Sequence, residues 1–267
     1  MMGILNVTPD SFSDGGLFSG PREAAEHAER LLADGAALVD IGGESTRPGS
    51  DPVPAGEEIA RVVPVIEALM AKVPQAIVSV DTRKTEVARA ALEAGACIVN
   101  DVSAASDAGM FDLVRRSGAG LVLMHMLGDP KTMQLDPKYD DVVGEVRGFL
   151  ALRLAAAEEA GIPRDRLCVD PGIGFGKNLE HNVALLHSIG SFRHLGVPVL
   201  VGVSRKRFIG HLTDTADSAD EPTARVEGTA GAVAWCASQH IDILRVHDVM
   251  AMSRVVAVVD AVARDPA

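Results

Sequence analysis

Aromatic residues are scarce in this sequence, at 3% of 267 residues, with one Trp and one Tyr. A large core must therefore be filled by Val, Leu, Ile and Ala, which is typical of a parallel β-barrel. The hydrophobic content of 47% against 23% charged residues excludes a disordered or fibrous chain. The length suits one α/β barrel of about 250 residues, so we expect a single domain over residues 1–267.

Basic residues are also in deficit, with 25 Lys and Arg against 37 Asp and Glu and a formal charge of −12. Without a basic face, general nucleic-acid binding is excluded, and any anionic substrate must meet a local cluster of Arg and Lys. Apolar runs such as Gly120–Met124 are too short to span a bilayer. The first residues lack the pattern of a signal peptide. We expect a cytoplasmic protein with no nucleic-acid or membrane partner.

Cysteine is rare as well. Cys97, Cys168 and Cys236 are odd in number, far apart and flanked by apolar residues. We expect three buried free thiols in a reducing cytosol.

What the sequence does contain is an alternation of short aliphatic runs with amphipathic segments. We predict eight strands at Gly3–Leu5, Ala37–Ile41, Ala76–Val80, Ala96–Val99, Gly120–Met124, Leu167–Val169, Pro198–Val203 and Asp242–Val246. Helical spacing separates them, and this alternation indicates parallel strands with right-handed crossovers. Eight cycles fit either a closed barrel or an open doubly wound sheet. The length and the even count favour the α/β class and a single (β/α)8 TIM barrel.

Polar clusters follow every predicted strand. They begin at Asn6, Gly42, Asp81, Asn100, His125, Asp170, Ser204 and Arg245. One polar residue after a strand is an ordinary helix cap, and Asp81 alone is equally well explained that way. Eight clusters are harder to explain by capping, and in a barrel they meet on the face that carries active sites.

Four of these strand-end residues suit a flat polar ring, namely Asp81, Asn100, Asp170 and Lys206. A carboxylate accepts two parallel hydrogen bonds from a ring edge bearing an amino group and an N–H. An Asn side chain both donates and accepts, and a Lys donates to a ring carbonyl or imine nitrogen.

The first and last strands carry groups suited to phosphate. Arg245 supplies a planar fork of donors and His247 a further donor. The amide oxygen of Asn6 is a candidate Mg²⁺ ligand, because this ion takes few protein ligands beside phosphate oxygens and water. His125 is better explained as a packed, hydrogen-bonded histidine than as a catalytic one.

A glycine-rich stretch at 172–177 matches neither a dinucleotide fingerprint nor a P-loop, since Asn178 stands where a P-loop needs Ser or Thr. We expect its glycines to let the backbone pass close to a flat ligand. Phe175 either forms a wall for an aromatic ring or plugs the loop onto the barrel.

The blocks, in order, are similar to those of the dihydropteroate synthases, which are pterin-binding TIM-barrel enzymes. The matching segments are 6–16, 42–49, 79–82, 99–101, 123–126, 170–178, 204–206 and 245–248. They span nearly the whole chain, and the ordered set is specific.

This resemblance implies three subsites. The pterin site would comprise Asp81, Asn100, Met124, Asp170, Lys206 and Arg245. The pyrophosphate site would comprise Asn6, Arg245 and His247, with Mg²⁺ at Asn6. The 4-aminobenzoate site would comprise Asp14, Thr46, Arg47, Pro48, Phe175 and Lys206, and sulfonamide inhibitors would bind there. The catalytic residues would be Asp81, Asp170, Lys206, Arg245 and His247.

The implied reaction joins 6-hydroxymethyl-7,8-dihydropterin pyrophosphate to 4-aminobenzoate, giving 7,8-dihydropteroate for folate biosynthesis. Because an aryl amine is a weak nucleophile, we expect pyrophosphate to leave before the amine attacks.

Two departures from the family pattern are expected. The hairpin that often precedes the first block is absent, and Arg207 stands where some members have Ser, with a role that stays open.

A homodimer is expected from the family and from apolar faces on the last helices at Ala230, Val233, Ala234, Val255 and Val259.

Two alternative functions remain at this point. A pterin-binding methyltransferase would share the Asp and Asn contacts but has no use for Arg245 and His247. A non-catalytic pterin- or sulfonamide-binding relative would lose Asn6 or the loop at 46–47 first.

Overall fold

A computed structural model describes residues 1–8, 20–45, 49–214 and 222–263. Eight strands are present: β1 (Met2–Asn6), β2 (Leu38–Gly42), β3 (Val78–Asp81), β4 (Ile98–Asp101), β5 (Gly120–Met124), β6 (Leu167–Asp170), β7 (Leu200–Gly202) and β8 (Ile243–Val246). The α-helices are α1 (Pro21–Ala33), α2 (Ala55–Lys72), α3 (Thr85–Glu93), α4 (Met110–Ser117), α5 (Val142–Glu159), α6 (Leu179–His187), α7 (Arg207–Leu212), α8 (Val226–Ser238) and α9 (Val249–Ala263). Short 3-10 turns occupy Arg164–Arg166, Ile189–Leu195 and Pro222–Arg225.

All the strand pairs are parallel, in the order β6-β5-β4-β3-β2-β1-β8-β7. The two ends of that order meet through a parallel bridge between Val169 and Val199, where the Val169 amide donates to the Pro198 carbonyl at 3.0 Å. The sheet therefore closes on itself. The predicted (β/α)8 barrel is confirmed, and the open doubly wound sheet is excluded.

Aliphatic side chains fill the barrel, as the shortage of aromatics requires. Met2, Val122, Cys168 and Leu200 form a separate buried cluster near the amino ends of β1, β5, β6 and β7. This layer plugs the lower interior, so the barrel is a packed core and not a pore.

The outer layer of the core lies between the barrel and its helices. In α1, Ala24, Ala25, Ala28 and Leu31 are all buried, which matches the helical spacing of these residues. Because the helices cover the outside of the barrel, the polar groups at the strand ends face one shared mouth.

The prediction of three buried thiols is wrong at one position. All three cysteines are free, but Cys97 is exposed while Cys168 and Cys236 are buried. Cys97 comes just before β4, where the chain turns out of α3 at the amino end of the barrel. Apolar neighbours in sequence did not reveal this, because the strand that they belong to begins one residue later.

Some of the apolar residues on which the dimer prediction rests lie in the chain's own core. Val233 is fully buried, and Ala230 and Val255 are partly buried against the same cluster. Within the described ranges, no helix is both long and apolar enough to cross a membrane.

Candidate active site

The strand register places three predicted site positions in one row across neighbouring strands. Gly42 of β2 pairs with Asp81 of β3, and Asp81 pairs with Asn100 of β4. A Cβ at Gly42 would lie 3.4 Å from the Cβ of Asp81, so the glycine leaves room for that carboxylate. On the far side of β5, Met124 pairs with Asp170 of β6. The predicted pterin-binding residues are thus brought together at the barrel mouth.

Arg245 of β8 reaches across this mouth to two carboxylates. Its Nε donates to Asp40 Oδ2 at 2.6 Å, and its second terminal nitrogen donates to Asp81 Oδ2 at 2.7 Å. Asn100 Nδ2 also donates to Asp40 Oδ2, at 2.9 Å. These bonds link β2, β3, β4 and β8, so the four side chains form one ordered polar network.

The network carries buried negative charge in excess. Asp40 is fully buried, and Asp81 is 8% exposed. Burial raises the pKa of Asp81 to about 7, and the Arg245 guanidinium opposes that rise. The second oxygens of Asp40 and Asp81 are buried with no hydrogen-bond partner among the described residues. A buried acceptor without a partner is costly, so these oxygens favour a partner with N–H donors.

Asp170 and Lys206 form the opposite wall. Asp170 Oδ1 accepts a hydrogen bond from the Gly172 amide at 2.7 Å, and burial raises its pKa. Lys206 follows β7 and donates from Nζ to the carbonyl of Ile173. Burial lowers the pKa of Lys206 to about 8, which nearby Asp170 opposes. Lys206 is therefore a cation that titrates close to neutral pH.

His247 and the loop before α7 are held together at the ends of β7 and β8. The His247 ring Nδ1 lies 3.0 Å from Ser204 Oγ, which also accepts from the His247 amide at 3.2 Å. Arg205 forms a two-point ion pair with Asp248, at 2.9 and 2.6 Å. Ser204 therefore orients the imidazole, and the ion pair fixes the two loops relative to each other.

Asn6 ends β1 at the level of Gly42, three residues beyond Gly3, which pairs with the last residue of β8, Val246. The described residues include no group of three or more His, Cys, Asp or Glu that would hold a metal ion alone. A single amide oxygen fits Mg²⁺ only when phosphate oxygens and water complete the shell. The donor set at Asn6 therefore fits a metal that arrives with a phosphorylated substrate.

The glycine-rich loop approaches other backbone rather than empty space. Gly172, Gly174 and Gly176 all have positive φ, between 63° and 82°. A Cβ at Gly172 would lie 1.9 Å from the His125 carbonyl oxygen, and one at Gly176 would lie 2.6 Å from that of Leu127. Gly172 and Gly176 are thus explained by close packing on the segment after β5, which the ligand-contact hypothesis did not anticipate. A Cβ at Gly174 would lie 3.0 Å from the Lys206 side chain instead.

The half-buried Phe175 projects from this loop, with Lys206 Nζ 4.5 Å from the centre of its ring. The placement leaves Phe175 beside the cation at the mouth, as the wall hypothesis requires. His125 is buried and packs edge-on against Phe149 at 4.9 Å. It is a packed, hydrogen-bonded histidine, as expected from the sequence.

The predicted 4-aminobenzoate residues Asp14, Thr46, Arg47 and Pro48 lie outside the described residues. Conversely, Asp40 and Lys177 are not among the predicted site residues, and Ser204 is predicted only as the start of a strand-end polar cluster. The signal for Asp40 was a carboxylate interrupting an apolar strand. Lys177 was read only as part of a glycine motif.

The comparisons with known proteins agree with this geometry. The family model described as "Pterin binding enzyme" matches residues 2–247. The chain is 45% identical over 261 residues to the dihydropteroate synthase of Escherichia coli K12, covering 98% of this chain and 90% of that protein.

Solved structures are also similar. A Xanthomonas albilineans dihydropteroate synthase with 4-aminobenzoic acid has a TM-score of 0.91 and 50% identity, covering 99% of this chain and 93% of that one. A structure with 7,8-dihydropteroate, also of a Xanthomonas albilineans dihydropteroate synthase, has a TM-score of 0.88 and 47% identity, with 99% and 94% covered. The Yersinia pestis synthase with a sulfonamide drug has a TM-score of 0.91 and 43% identity, with 98% and 93% covered. This chain therefore belongs to the pterin-binding enzyme family and, within it, to the dihydropteroate synthases.

Proposed function

We propose that this chain condenses 6-hydroxymethyl-7,8-dihydropterin pyrophosphate with 4-aminobenzoate, releasing pyrophosphate and 7,8-dihydropteroate. The observation that carries the proposal is the network of Asp40, Asp81, Asn100 and Arg245, in which one oxygen of Asp81 lacks a partner among the described residues. A pterin ring offers N–H and amino donors along one edge, which such oxygens accept. Membership of the family makes this ring the expected ligand.

In the proposed pterin site, the ring enters the mouth edge first. Asp81 and Asp170 accept its N–H groups, and Asn100 both donates and accepts. Lys206 Nζ, now bonded to the Ile173 carbonyl, donates to the ring carbonyl instead. Met124, which is 3% exposed at the end of β5, packs against the ring.

The pyrophosphate lies toward Asn6 and His247. A guanidinium has five N–H donors, and in Arg245 two of them bond Asp40 and Asp81. Its remaining donors have no side-chain partner among the described residues and can meet phosphate oxygens, so one side chain would join the pterin and pyrophosphate sites. Asn6 would hold Mg²⁺ through its amide oxygen when the substrate is bound, and the ion would supply additional positive charge for the leaving group.

The reaction then follows from the distribution of charge. The bond between the exocyclic methylene carbon and oxygen breaks, and its electron pair leaves with pyrophosphate, neutralised by Arg245 and His247. Positive charge spreads from the methylene into the pterin ring, where Asp81 and Asp170 stabilise it. The neutral amine of 4-aminobenzoate attacks that carbon and loses a proton to solvent once the C–N bond has formed.

For the second substrate, we propose a site beside Phe175 and Lys206, completed by Asp14, Thr46, Arg47 and Pro48. The Phe175 ring gives an apolar wall, and the Lys206 ammonium gives a positive charge next to it. Sulfonamides share the aryl amine of 4-aminobenzoate, so they are expected to compete there. The Yersinia pestis relative holds such a drug.

A homodimer is part of the proposal. The exposed apolar side chains Val183, Leu212 and Trp235 line one surface of α6, α7 and α8, and they are 44%, 58% and 44% exposed. Contiguous exposed apolar residues favour an interface between chains. Light scattering on wild-type protein and on Leu212→Glu checks this: a dimeric mass for wild type and a monomeric mass for the variant support it, and a monomeric wild type contradicts it.

We further propose a cytoplasmic location. Cys168 and Cys236 are free thiols with no disulfide partner among the described residues, which suits a reducing compartment. Fractionation of the native source, followed by detection of the chain with an antibody, tests this.

Product detection tests the reaction itself. Wild-type protein mixed with the pterin pyrophosphate, 4-aminobenzoate and Mg²⁺ should give 7,8-dihydropteroate by mass spectrometry. Removal of Mg²⁺ with a chelator should slow the reaction strongly. Tight binding of the pterin pyrophosphate by calorimetry without any product would favour a non-catalytic pterin-binding protein instead.

A further inference from the structure

Lys177 is buried directly behind the glycine-rich loop, although it is a lysine with only 2% of its surface exposed. Its Nζ lies 2.9 Å from the Phe175 carbonyl oxygen, 3.0 Å from His125 Nδ1 and 3.4 Å from the His125 carbonyl oxygen. An ammonium group has three donors, and here it meets three acceptors. Burying a lysine costs free energy of desolvation even when its amine has acceptors. We therefore expect Lys177 to have a specific role.

The charges around Lys177 affect its own protonation, and the burial of His125 keeps the imidazole neutral. Burial lowers the pKa of Lys177 well below its usual value, with Asp170 opposing that shift and Lys206 adding to it. Burial lowers the pKa of His125 to about 3, so its ring is neutral near pH 7. A neutral ring either accepts from an ammonium at Nδ1 or donates from Nδ1 to an uncharged amine. The contact therefore persists in either protonation state of Lys177.

Other parts of the loop have separate anchors. The Gly174 amide donates to Asn182 Oδ1 at 2.6 Å, and the Gly174 carbonyl accepts from Gln134 at 2.7 Å. The Gly176 carbonyl accepts from the Tyr139 hydroxyl at 2.9 Å. The carbonyl of Phe175 is held by Lys177. The Phe175 amide donates to the Gly172 carbonyl at 3.1 Å, so the Lys177 amine is one of two backbone anchors of the residue that carries the aromatic wall.

We propose that Lys177 and His125 are positioning residues for the aryl amine substrate, holding the Phe175 ring in place beside Lys206. The inference rests on the proposed function, since Phe175 is assigned to the 4-aminobenzoate site there. Neither residue touches the substrate. Loss of the pair frees the Phe175 carbonyl, whereas the Phe175 amide stays bonded to Gly172 and Asp170 still holds Gly172. We therefore expect a larger effect on the Phe175 ring than on the pterin site.

Steady-state kinetics with both substrates test the pair through Lys177→Met. The matched control is Lys72→Met, which makes the same change on an exposed lysine at the end of α2, on the opposite side of the barrel. We expect the KM for 4-aminobenzoate to rise at least tenfold in Lys177→Met. The KM for the pterin pyrophosphate should stay within twofold and kcat within threefold. A merely structural role would lower kcat through loss of folded enzyme and leave both KM values unchanged, which would overturn the inference. An equal rise in both KM values would also overturn it.

A second pair of variants covers the case in which Lys177→Met does not fold. His125→Asn keeps an acceptor near the position of Nδ1, whereas His125→Leu removes it. We expect His125→Leu to raise the KM for 4-aminobenzoate and His125→Asn to restore it to near wild type. Equal KM values in the two variants would refute the positioning role while the wild type still makes product. Failure of the wild type to make dihydropteroate would overturn the proposed function and this inference with it.

Discussion

Arg245 and Asp40 are 205 residues apart in the chain, yet Arg245 Nε donates to Asp40 Oδ2 at 2.6 Å. Closure of the barrel makes this contact possible, because β1 alone separates β8 from β2. The bond holds the guanidinium over the mouth, where it also meets Asp81. One arginine therefore organises the carboxylates of the ring site before any ligand arrives.

Replacement of Arg245 by Ala should abolish dihydropteroate formation. The change removes the cation between Asp40 and Asp81 and leaves two buried carboxylates facing each other. It also removes donors for the leaving pyrophosphate. The rate of product formation and calorimetric binding of the pterin pyrophosphate measure this. Arg116→Ala, on the exposed surface of α4, is the control, and comparable activity in the two variants would disprove the role.

The pH dependence of kcat/KM should report the protonation of Lys206. Its charged form donates to the ring and lies against Phe175, and its pKa is lowered to about 8. As pH rises through about 8 the ammonium loses its proton, so kcat/KM for the pterin pyrophosphate should fall. The side chain of Lys206→Arg stays charged, so any residual kcat/KM of this variant should not fall as pH rises through about 8. The same fall in that variant would assign it to another group.

An ionic cluster of Lys84 with two buried glutamates should matter for stability. Lys84 bonds both Glu44 and Glu58, and these carboxylates are 8% and 1% exposed. Lys84→Met leaves them buried without that cation, which costs about 3 kcal/mol in comparable cases. Urea unfolding measures the loss. Lys72→Met, an exposed pair, should unfold like wild type, and a similar result for Lys84→Met would contradict the prediction.

The glycine-rich loop should tolerate no side chain at its first glycine. Gly172→Ala places a Cβ 1.9 Å from the His125 carbonyl oxygen at a φ of 69°, so both the loop and the Asp170 contact must shift. We expect lost activity and a lower melting temperature. Gly148→Ala, in the exposed middle of α5 with no atom within 4 Å of the new Cβ, should instead stabilise the protein by up to about 1 kcal/mol. Wild-type activity in Gly172→Ala would show that the loop is less constrained than its contacts imply.

The sequence predicted the barrel and the strand-end residues because both follow from local patterns. Alternation of apolar runs with helical spacing identifies β1 to β8, and a polar residue after a strand locates the mouth. Contacts across the barrel are not local. The bond between Arg245 and Asp40 depends on closure, so Arg245 was assigned mainly to phosphate and Asp40 was overlooked.

Burial of a polar side chain is equally hard to foresee. Lys177 follows a glycine run and looks like an exposed loop residue, but the loop folds back over it. Exposure of Cys97 was missed for the opposite reason, since its apolar neighbours belong to a strand that it does not enter. For both residues, tertiary packing decides how much of the side chain is exposed.

The proposed role of the Asp81 carboxylate in dihydropteroate formation is tested by the rate at which folded Asp81→Asn makes this product. The change keeps the size of the side chain but removes the carboxylate that accepts from the ring and stabilises its developing positive charge. Substrates and Mg²⁺ are saturating, and circular dichroism checks that the variant is folded. We expect kcat to fall by about a hundredfold to a thousandfold. Turnover near that of the wild type would contradict it.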